Sequence, residues 1–367
     1  MSCFAVVTGG GTAGHVLPAL AIADGLVAAG HGADEIHYIG AERGIETRLV
    51  PPTGYAHTFL DVVGFQRSLS RRNLAFVPKM LRARRAALAL LRDLRPAVVV
   101  SVGGYASMPA VFAAQRLDIP VVVVSYDKRP GRASALAAKK AVACAAAFPD
   151  SPLPRARLTG APLRRAIVEI DREQDREAAR AALGLPSDRF VVAVTGGSQG
   201  SGVVNAAVAG LVARRSDDTG LAVRHVVGER FVSDATPAHD GSTGILYDVI
   251  GYEDQMPALY AAADVLVGRG GASTVCEVAA VGVPSVLVPW SGAAEDHQSE
   301  NVRWLSDVGA AVLVPEAELT AERLDAEIDR LRRDHDVRTA LAATAHEMGA
   351  VHRSGALVAL IEEVATR

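Results

Sequence analysis

Residues 7–26, "VTGGGTAGHVLPALAIADGL", put three glycines and a histidine where an apolar run stops and a helical pattern begins. Bare glycine backbone lets a ligand approach closely, and the next helix offers N–H groups and a partial positive charge. That is the chemistry of a phosphate or sugar-diphosphate site. Gly9, Gly11 and Gly14 also satisfy G-x-G-x-x-G. A nicotinamide enzyme would want an acid at the tip of the second strand. Here that strand, "IHYIG", ends in Gly40, and Glu42 lies two residues beyond. No G-K-[ST] follows, which excludes a P-loop. His15 stands at the mouth of the turn. Its near-neutral intrinsic pKa suits a general base, and a plain hydrogen bond to a carbonyl is the alternative.

Double-glycine turns recur in "VVSVGGYASM", "VAVTGGSQGS" and "VLVGRGGAST", each after an apolar run and before a helical pattern. Tight packing of strand on helix explains one such turn better than it explains four. The last turn is the most informative. Arg269 sets a cation beside it, Ser273 and Thr274 add hydroxyls, and Glu277 sits one helical turn in, where it could accept from ribose hydroxyls. Thr274-x-x-Glu277 is equally a capping box. "EDHQSEN" (295–301) follows the strand "PSVLVPW" and reads either as a reader of sugar hydroxyls or as a polar helix start. One D-x-D occurs, Asp334-His335-Asp336, but it lies in the polar run "RLRRDHDVRT" behind no buried strand, so it reads as surface and not as a metal site.

Elements must hold these turns in place. A length of 367 residues favours two domains. Strands are predicted over 4–8, 36–39, 97–102, 120–125, 190–195, 264–267 and 285–289, alternating with Ala/Leu-rich helical patterns. Continuous apolar runs such as "AVVVSV" and "PVVVVS" fit parallel strands covered on both faces. The fold class is α/β, with two doubly wound parallel-sheet domains. "APLRR" (161–165) is the expected hinge, and the polar stretch 169–186 opens the second domain. A net charge of −3 argues against bulk nucleic-acid binding. Cys3, Cys144 and Cys276 form no C-x-x-C pair, which fits a reducing cytoplasm. Neither a signal peptide nor a transmembrane helix is expected. One stretch stands apart. Between Phe65 and Pro96, nine basic residues (Arg67, Arg71, Arg72, Lys79, Arg82, Arg84, Arg85, Arg92 and Arg95) face the single acid Asp93, with apolar residues interleaved. It reads as a docking surface for anionic lipid or as an ordinary solvated basic helix.

Taken together these segments resemble the MurG family, the inverting GT-B glycosyltransferases that move N-acetylglucosamine (GlcNAc) from UDP-GlcNAc onto lipid I to make lipid II. The resemblance runs through "GGGTAGHVLPALAIA", "GIETRLVP", "GYASMPAVFAA", "GAPLR", "TGGSQGSGVVN", "RGGASTVCEVAAVGVPSVLVP" and "DHQSEN", nearly the whole chain. It implies two Rossmann-like domains facing across a cleft. Residues 1–162 would form the acceptor and membrane-facing domain, with helix 350–367 packing back on it, and 163–349 the UDP-GlcNAc-binding domain. On the donor side, Arg164, Ser198, Gln199 and Arg269 would lie near the diphosphate, and Ala272, Ser273 and Thr274 would present N–H groups to it. Glu277 would hold the ribose, backbone near Tyr252 and Glu253 the uracil, and His297 and Gln298 the GlcNAc hydroxyls. Gly11, Thr12, Ala13, Gly14 and Tyr105 would line the acceptor cleft, with Asn301 close by. His15 would be the catalytic base, with Asp127 a second candidate. The resemblance implies no metal or other cofactor, and a place on the cytoplasmic face of the bacterial cell membrane.

One segment departs from the pattern. Family members carry H-E-Q-N ahead of a P-G or similar turn. Here "VVVVSYDKRPGRAS", aligned on Pro130-Gly131, has Val124, Ser125, Tyr126 and Asp127 at those places. The donor half matches while part of the acceptor half is rewritten, and Lys128, Arg129 and Arg132 offer other contacts to an acceptor diphosphate. Three other readings stay open: a GT-B transferase with a different lipid-linked or small-molecule acceptor, a UDP-GlcNAc 2-epimerase, and a non-catalytic nucleotide-sugar-binding protein.

Overall fold

Valine-rich runs that stop at glycine become the central strands, because a parallel strand covered by helices on both faces must be apolar along its whole length. The computed structural model describes residues 3–62, 76–293 and 296–366. The chain divides into two units, Met1–Arg165 with Val351–Arg367, and Ala166–Ala350.

The first unit carries strands β1 (Ala5–Thr8), β2 (Ile36–Ala41), β3 (Ala56–Leu60), β4 (Val98–Ser101), β5 (Val121–Ser125), β6 (Ala143–Ala146) and β7 (Ala156–Leu158). Among the described residues they form one parallel sheet in the order β3-β2-β1-β4-β5-β6-β7. Val6 of β1 sits between His37 and Val99. The helices are α1 (Ala13–Ala28), α2 (Glu46–Leu49), α3 (Phe76–Leu94), α4 (Met108–Arg116) and α5 (Arg132–Ala138). In α3 the i, i+4, i+8 positions Ala83, Ala87 and Leu91 are buried against Val99, Val121 and Val123. The same spacing leaves Arg82, Arg84, Arg85 and Arg92 exposed. Lys79 is half-buried and pairs with Asp61 at 2.7 Å. Of the basic stretch, Arg67, Arg71 and Arg72 fall outside the described residues.

The second unit carries β8 (Phe190–Thr195), β9 (Leu221–Val226), β10 (His239–Asp240), β11 (Leu246–Ile250), β12 (Val265–Arg269), β13 (Ser285–Val288) and β14 (Val312–Leu313). Its order is β10-β11-β9-β8-β12-β13-β14, parallel except for the edge pair β10–β11. Helix α6 (Arg165–Val168) leads into it, followed by α7 (Arg172–Ala182), α8 (Gly202–Arg214), α9 (Met256–Ala262), α10 (Ala272–Val281), α11 (His297–Ser306), α12 (Ala321–Arg333) and α13 (His335–Met348). The last helix, α14 (Ala356–Ala365), belongs to the first unit. There Arg157 pairs with Glu363, His31 with Glu362 at 3.0 Å, and the Ala161 N–H donates to His352 Nδ1 at 3.0 Å.

All seven strands predicted from sequence are present, with ends displaced by a residue or two. The others carried weaker signals. β6 reads ACAA, which favours helix by intrinsic propensity, and only its place between β5 and β7 makes it a strand. β9 carries Arg224 and His225 within an otherwise apolar run. His225 is nonetheless fully buried, bonded to Tyr247 and Asn205 at 2.9 and 3.0 Å. Asp334 of the D-x-D accepts from Val337 N–H at 3.0 Å and caps α13, while His335 and Asp336 are exposed. No group of residues suited to hold a metal occurs among the described residues. No helix there is long and apolar enough to cross a membrane.

The polar stretch that opens the second unit docks through one face of α7. Arg172, Arg176 and Arg180 recur every four residues, so they line up along the helix. Arg172 donates to the Gly282 and Ala263 carbonyls, and Arg180 Nε to the Ala262 carbonyl at 3.0 Å. Arg176 and Arg180 both pair with buried Asp264, whose Oδ2 also accepts from Val191 N–H at 2.7 Å. Asp264→Ala strands two cations in a partly buried place and should cost about 3–5 kcal/mol of stability. Urea denaturation measures it, and a loss below about 1 kcal/mol would show that the carbonyls alone hold the arginines.

Candidate active site

In each unit the strand order reverses once, between β1 and β4 in the first and between β8 and β12 in the second. Loops leaving two such neighbours diverge to opposite sides, and the crevice at their carboxyl ends is where doubly wound sheets bind ligands. The four double-glycine turns are the four loops at these two places.

In the first unit, the Thr8 hydroxyl donates to the Ile39 carbonyl at 2.9 Å and fixes the end of β1. Gly11 then turns at φ +92°, a left-handed conformation, and the Tyr105 ring stands 2.8 Å from where a Cβ would be. Thr12 is the extended N-cap of α1. Its hydroxyl makes no capping bond to the backbone but meets His15 Nδ1 at 3.0 Å. The second turn packs on the same ring, since Cβ atoms on Gly103 and Gly104 would lie 3.6 and 3.5 Å from His15 atoms. Both are left-handed, at φ +92° and +76°. Burial lowers the His15 pKa from its ordinary value, against the opposing charges of Asp127 and Glu46. His15, Ser125, Asp127, Arg132 and Ser134 help line a cavity of about 220 Å³.

The rewritten segment surrounds this cavity. Tyr126 is buried, its hydroxyl donates to the Gly14 carbonyl, and its ring meets His15 edge-on at 6.4 Å. Asp127 is half-buried on the same wall. Thr12 and Gly14 are exposed, and Gly11, Ala13 and Tyr105 are half-buried.

In the second unit, the turns after β8 and β12 line one larger cavity of about 730 Å³. Ser198 and Gln199 are exposed on its rim, and Trp290, Gln298 and Thr274 also line it. Helix α10 begins at Ala272 with Gly271 as N-cap and no side-chain cap. Thr274 is therefore the third helical residue and not an N-cap, which removes the capping-box reading. The first-turn N–H groups of Ala272, Ser273 and Thr274 have no intrahelical partner. Half-buried Glu277 accepts from the Tyr260 hydroxyl at 2.7 Å, which fixes its carboxylate. His297 opens α11, half-buried. Gln298 Oε1 accepts from Trp290 N–H at 2.9 Å, leaving its amide N–H₂ for the cavity.

The structure adds detail that the sequence alone did not show. Arg269 does not offer a lone cation, because it pairs with Glu316 and donates to Ser201 Oγ at 2.6 Å. Arg230, which sequence reasoning missed, supplies one instead. It is exposed in the same cavity, lies 4.6 Å over the Phe231 ring and makes no ion pair among the described residues. Its signal was a basic residue just after Gly228, at the carboxyl end of the strand beside β8. Asn301, expected with the acceptor-cleft residues, lies in the second unit and is fully buried. Its amide donates to the Gly270 carbonyl at 3.3 Å and so holds the fourth turn. Tyr252 is exposed, while the Glu253 carboxylate is buried against Arg224 at 2.7 Å. Arg164 is half-buried on the segment that ends the first unit's main run.

Family models for the N-terminal and C-terminal domains of glycosyltransferase family 28 match residues 5–146 and 191–354. The UDP-N-acetylglucosamine--N-acetylmuramyl-(pentapeptide) pyrophosphoryl-undecaprenol N-acetylglucosamine transferase of Cutibacterium acnes is 37% identical, over 98% of this chain and 97% of its own. The Nocardioides sp. protein of the same name is 40% identical, over 93% and 92%. The crystal structure of Acinetobacter baumannii MurG superposes with a TM-score of 0.74 at 25% identity, over 99% of this chain and 100% of its own. The UDP-GlcNAc 2-epimerase of Neisseria meningitidis, at 13% identity and a TM-score of 0.66 over 99% of both chains, shares the fold alone.

The left-handed Gly11 supports the first turn. Gly11→Ala forces a methyl against the Tyr105 ring at an unfavourable φ and should destabilise the protein by about 1–3 kcal/mol. An unchanged denaturation midpoint would show that the turn relaxes freely.

Proposed function

As the chain belongs to the MurG family within glycosyltransferase family 28, we propose that it moves GlcNAc from UDP-GlcNAc to the C4 hydroxyl of MurNAc in lipid I, forming lipid II for peptidoglycan synthesis. Lipid I is the undecaprenyl-diphosphate-linked MurNAc-pentapeptide. The observation that carries this reading is likeness to transferases of that name over 98% of this chain and 97% of the relative.

The mechanism is a direct displacement at the anomeric carbon with inversion. The acceptor oxygen bonds to C1 as the bond from C1 to the phosphate oxygen breaks, and that electron pair leaves on UDP. The acceptor proton goes to His15 Nε2. With His15 Nδ1–H donating to the Thr12 hydroxyl, the neutral tautomer has its Nε2 lone pair available. Burial keeps the ring neutral near pH 7. Asp127, on the wall of the same cavity, is the second candidate for the proton and otherwise supports the imidazolium that forms.

UDP leaves with growing negative charge. The α10 N-terminus at Ala272, Ser273 and Thr274, with Arg230 and Arg164, meets that charge with fixed dipoles and guanidinium groups. In this reading no metal takes part. Glu277, fixed by Tyr260, accepts from the ribose hydroxyls, and His297 with the Gln298 amide reads the GlcNAc hydroxyls. Ser198 and Gln199 cover the diphosphate, and backbone at Tyr252 and Glu253 meets uracil. On the acceptor side Gly11, Ala13, Gly14 and Tyr105 shape the pocket. The exposed arginines of α3, with exposed Leu81 among them, support docking on the cytoplasmic face of the cell membrane. Each cation near anionic lipid contributes about 1 kcal/mol. A second reading keeps the donor and changes the acceptor, and the side chains of Tyr126 and Asp127 on the cavity wall favour it.

UDP release from UDP-GlcNAc, with and without a lipid I analogue, tests the function. Release that needs the analogue and yields a β-linked disaccharide is expected. Tight UDP binding without such release would turn the search to other acceptors. His15→Ala should lower turnover about 10²–10⁴-fold with donor affinity unchanged. Equal losses in both would remove the base assignment. A base must be neutral, and the His15 pKa lies below its ordinary 6.5, so kcat/KM should be flat above that pH and fall only beneath it. Glu277→Ala should weaken UDP binding about tenfold, by loss of hydrogen bonds to a charged group. Unchanged affinity in a titration would refute the ribose role.

A further inference from the structure

Glu46 is a buried carboxylate of the first unit that no step above uses. It opens α2 and is fully buried. Among the described residues its partners are backbone amides and not cations. The Gly11 N–H donates to both carboxylate oxygens at 3.1 Å, and the Ala41 N–H donates to Oε1 at 2.8 Å. Three glycines make room for it. A Cβ on Gly10 would stand 2.2 Å from Oε1, one on Gly44 1.8 Å from Oε2, and one on Gly40 2.9 Å from Cγ. Glycine at these places keeps space for an acid, which a merely tight strand–helix turn does not need.

We infer that Glu46 is a built-in anion that fills the first glycine turn, fixes the loop carrying Thr12 and His15, and lends the base its negative surroundings. The Gly11 N–H is then spoken for, so the turn that most resembles a phosphate cradle does not use that N–H on an acceptor phosphate. Glu46 is a positioning residue, because it acts through the loop and the field and touches no substrate. The other groups around His15 are the Asp127 carboxylate after β5, Arg132 at the start of α5, the Tyr126 phenol, and Tyr105 across Gly11. Of these acids, Asp127 and Glu46 both oppose the effect of burial on the ring. The inference rests on the reading of His15 as base only for its effect on rate.

Two readouts separate the parts. The His15 imidazole is titrated by NMR in the ligand-free protein, and kcat/KM is measured against pH with UDP-GlcNAc and a lipid I analogue. Glu46→Gln removes the charge and keeps the shape. It should lower the imidazole midpoint by about 0.5 pH unit and move the acidic limb of kcat/KM down with it. Glu46→Asp keeps the charge and should leave the midpoint near that of the parent while turnover drops. A midpoint that moves without the limb supports Glu46 as described and overturns His15 as base. An unmoved midpoint in folded Glu46→Gln overturns the inference, since a purely structural carboxylate would change stability alone. Should Glu46→Gln fail to fold, Gly44→Ala pushes the carboxylate out of its seat, and there too an unmoved midpoint overturns the proposal.

Discussion

Two parallel strands side by side, one sending its chain to the left and the other to the right, leave a gap at their carboxyl ends that no loop crosses. Both sheets have one such gap, beside β1 in the first unit and β8 in the second. Everything chemical in this protein depends on it. Backbone N–H groups point into the gap only if the loops around it carry no side chains that fill it, which is why glycine follows β1, β4, β8 and β12. The strands beneath are uniformly apolar for a related reason. A sheet that keeps its binding edge open at one end must be covered by helices on both faces.

The two gaps share geometry and differ in charge. In the second unit the N-terminus of α10 is uncapped, and the one arginine adjoining it in sequence is already paired with Glu316. Arg230 is left to face the cavity. That gap presents first-turn N–H groups without intrahelical partners and a guanidinium. In the first unit, the Gly11 N–H is taken by an internal carboxylate, and the turn presents a neutral, partly buried imidazole. The two gaps thus differ through the placement of a single acid in each. Glu316 cancels a cation, while Glu46 occupies an amide.

The sequence made some of this legible and hid the rest for physical reasons. Valine runs ending at double glycine marked the central strands and the four turns, because burial on both faces leaves no ambiguity of composition. Edge strands such as β3, with Ala56 and His57 exposed, and the alanine strand β6 carried no such mark. Helix α10 was ambiguous until its first residue was known, since a start three residues later would have made Thr274 a cap. Arg269 was the obvious cation because it adjoins the glycines in sequence, whereas Arg230 comes from the end of β9 and reaches the same cavity only through strand pairing with β8. Glu46 was visible within "GIETRLVP", yet nothing in one sequence says that a carboxylate between glycines points inward. Burial of an acid is rare enough that an exposed reading is the default.

Residues 124–127, which end β5 and lead out of it, form one wall beside His15. Tyr126 brings a hydroxyl to the Gly14 carbonyl, one residue before His15, so this side chain ties the end of β5 to the first turn. Asp127, next in the chain, faces the cavity and changes its charge. One residue of the pair therefore serves the loop and the other the contents of the pocket. The loop has a second, independent support from Glu46 on its far side. On the proposed reading of His15 as base, a loop held from two directions tolerates replacement of the wall beside it. A base held only by that wall would not, and the rewriting would then have cost the chemistry along with the specificity.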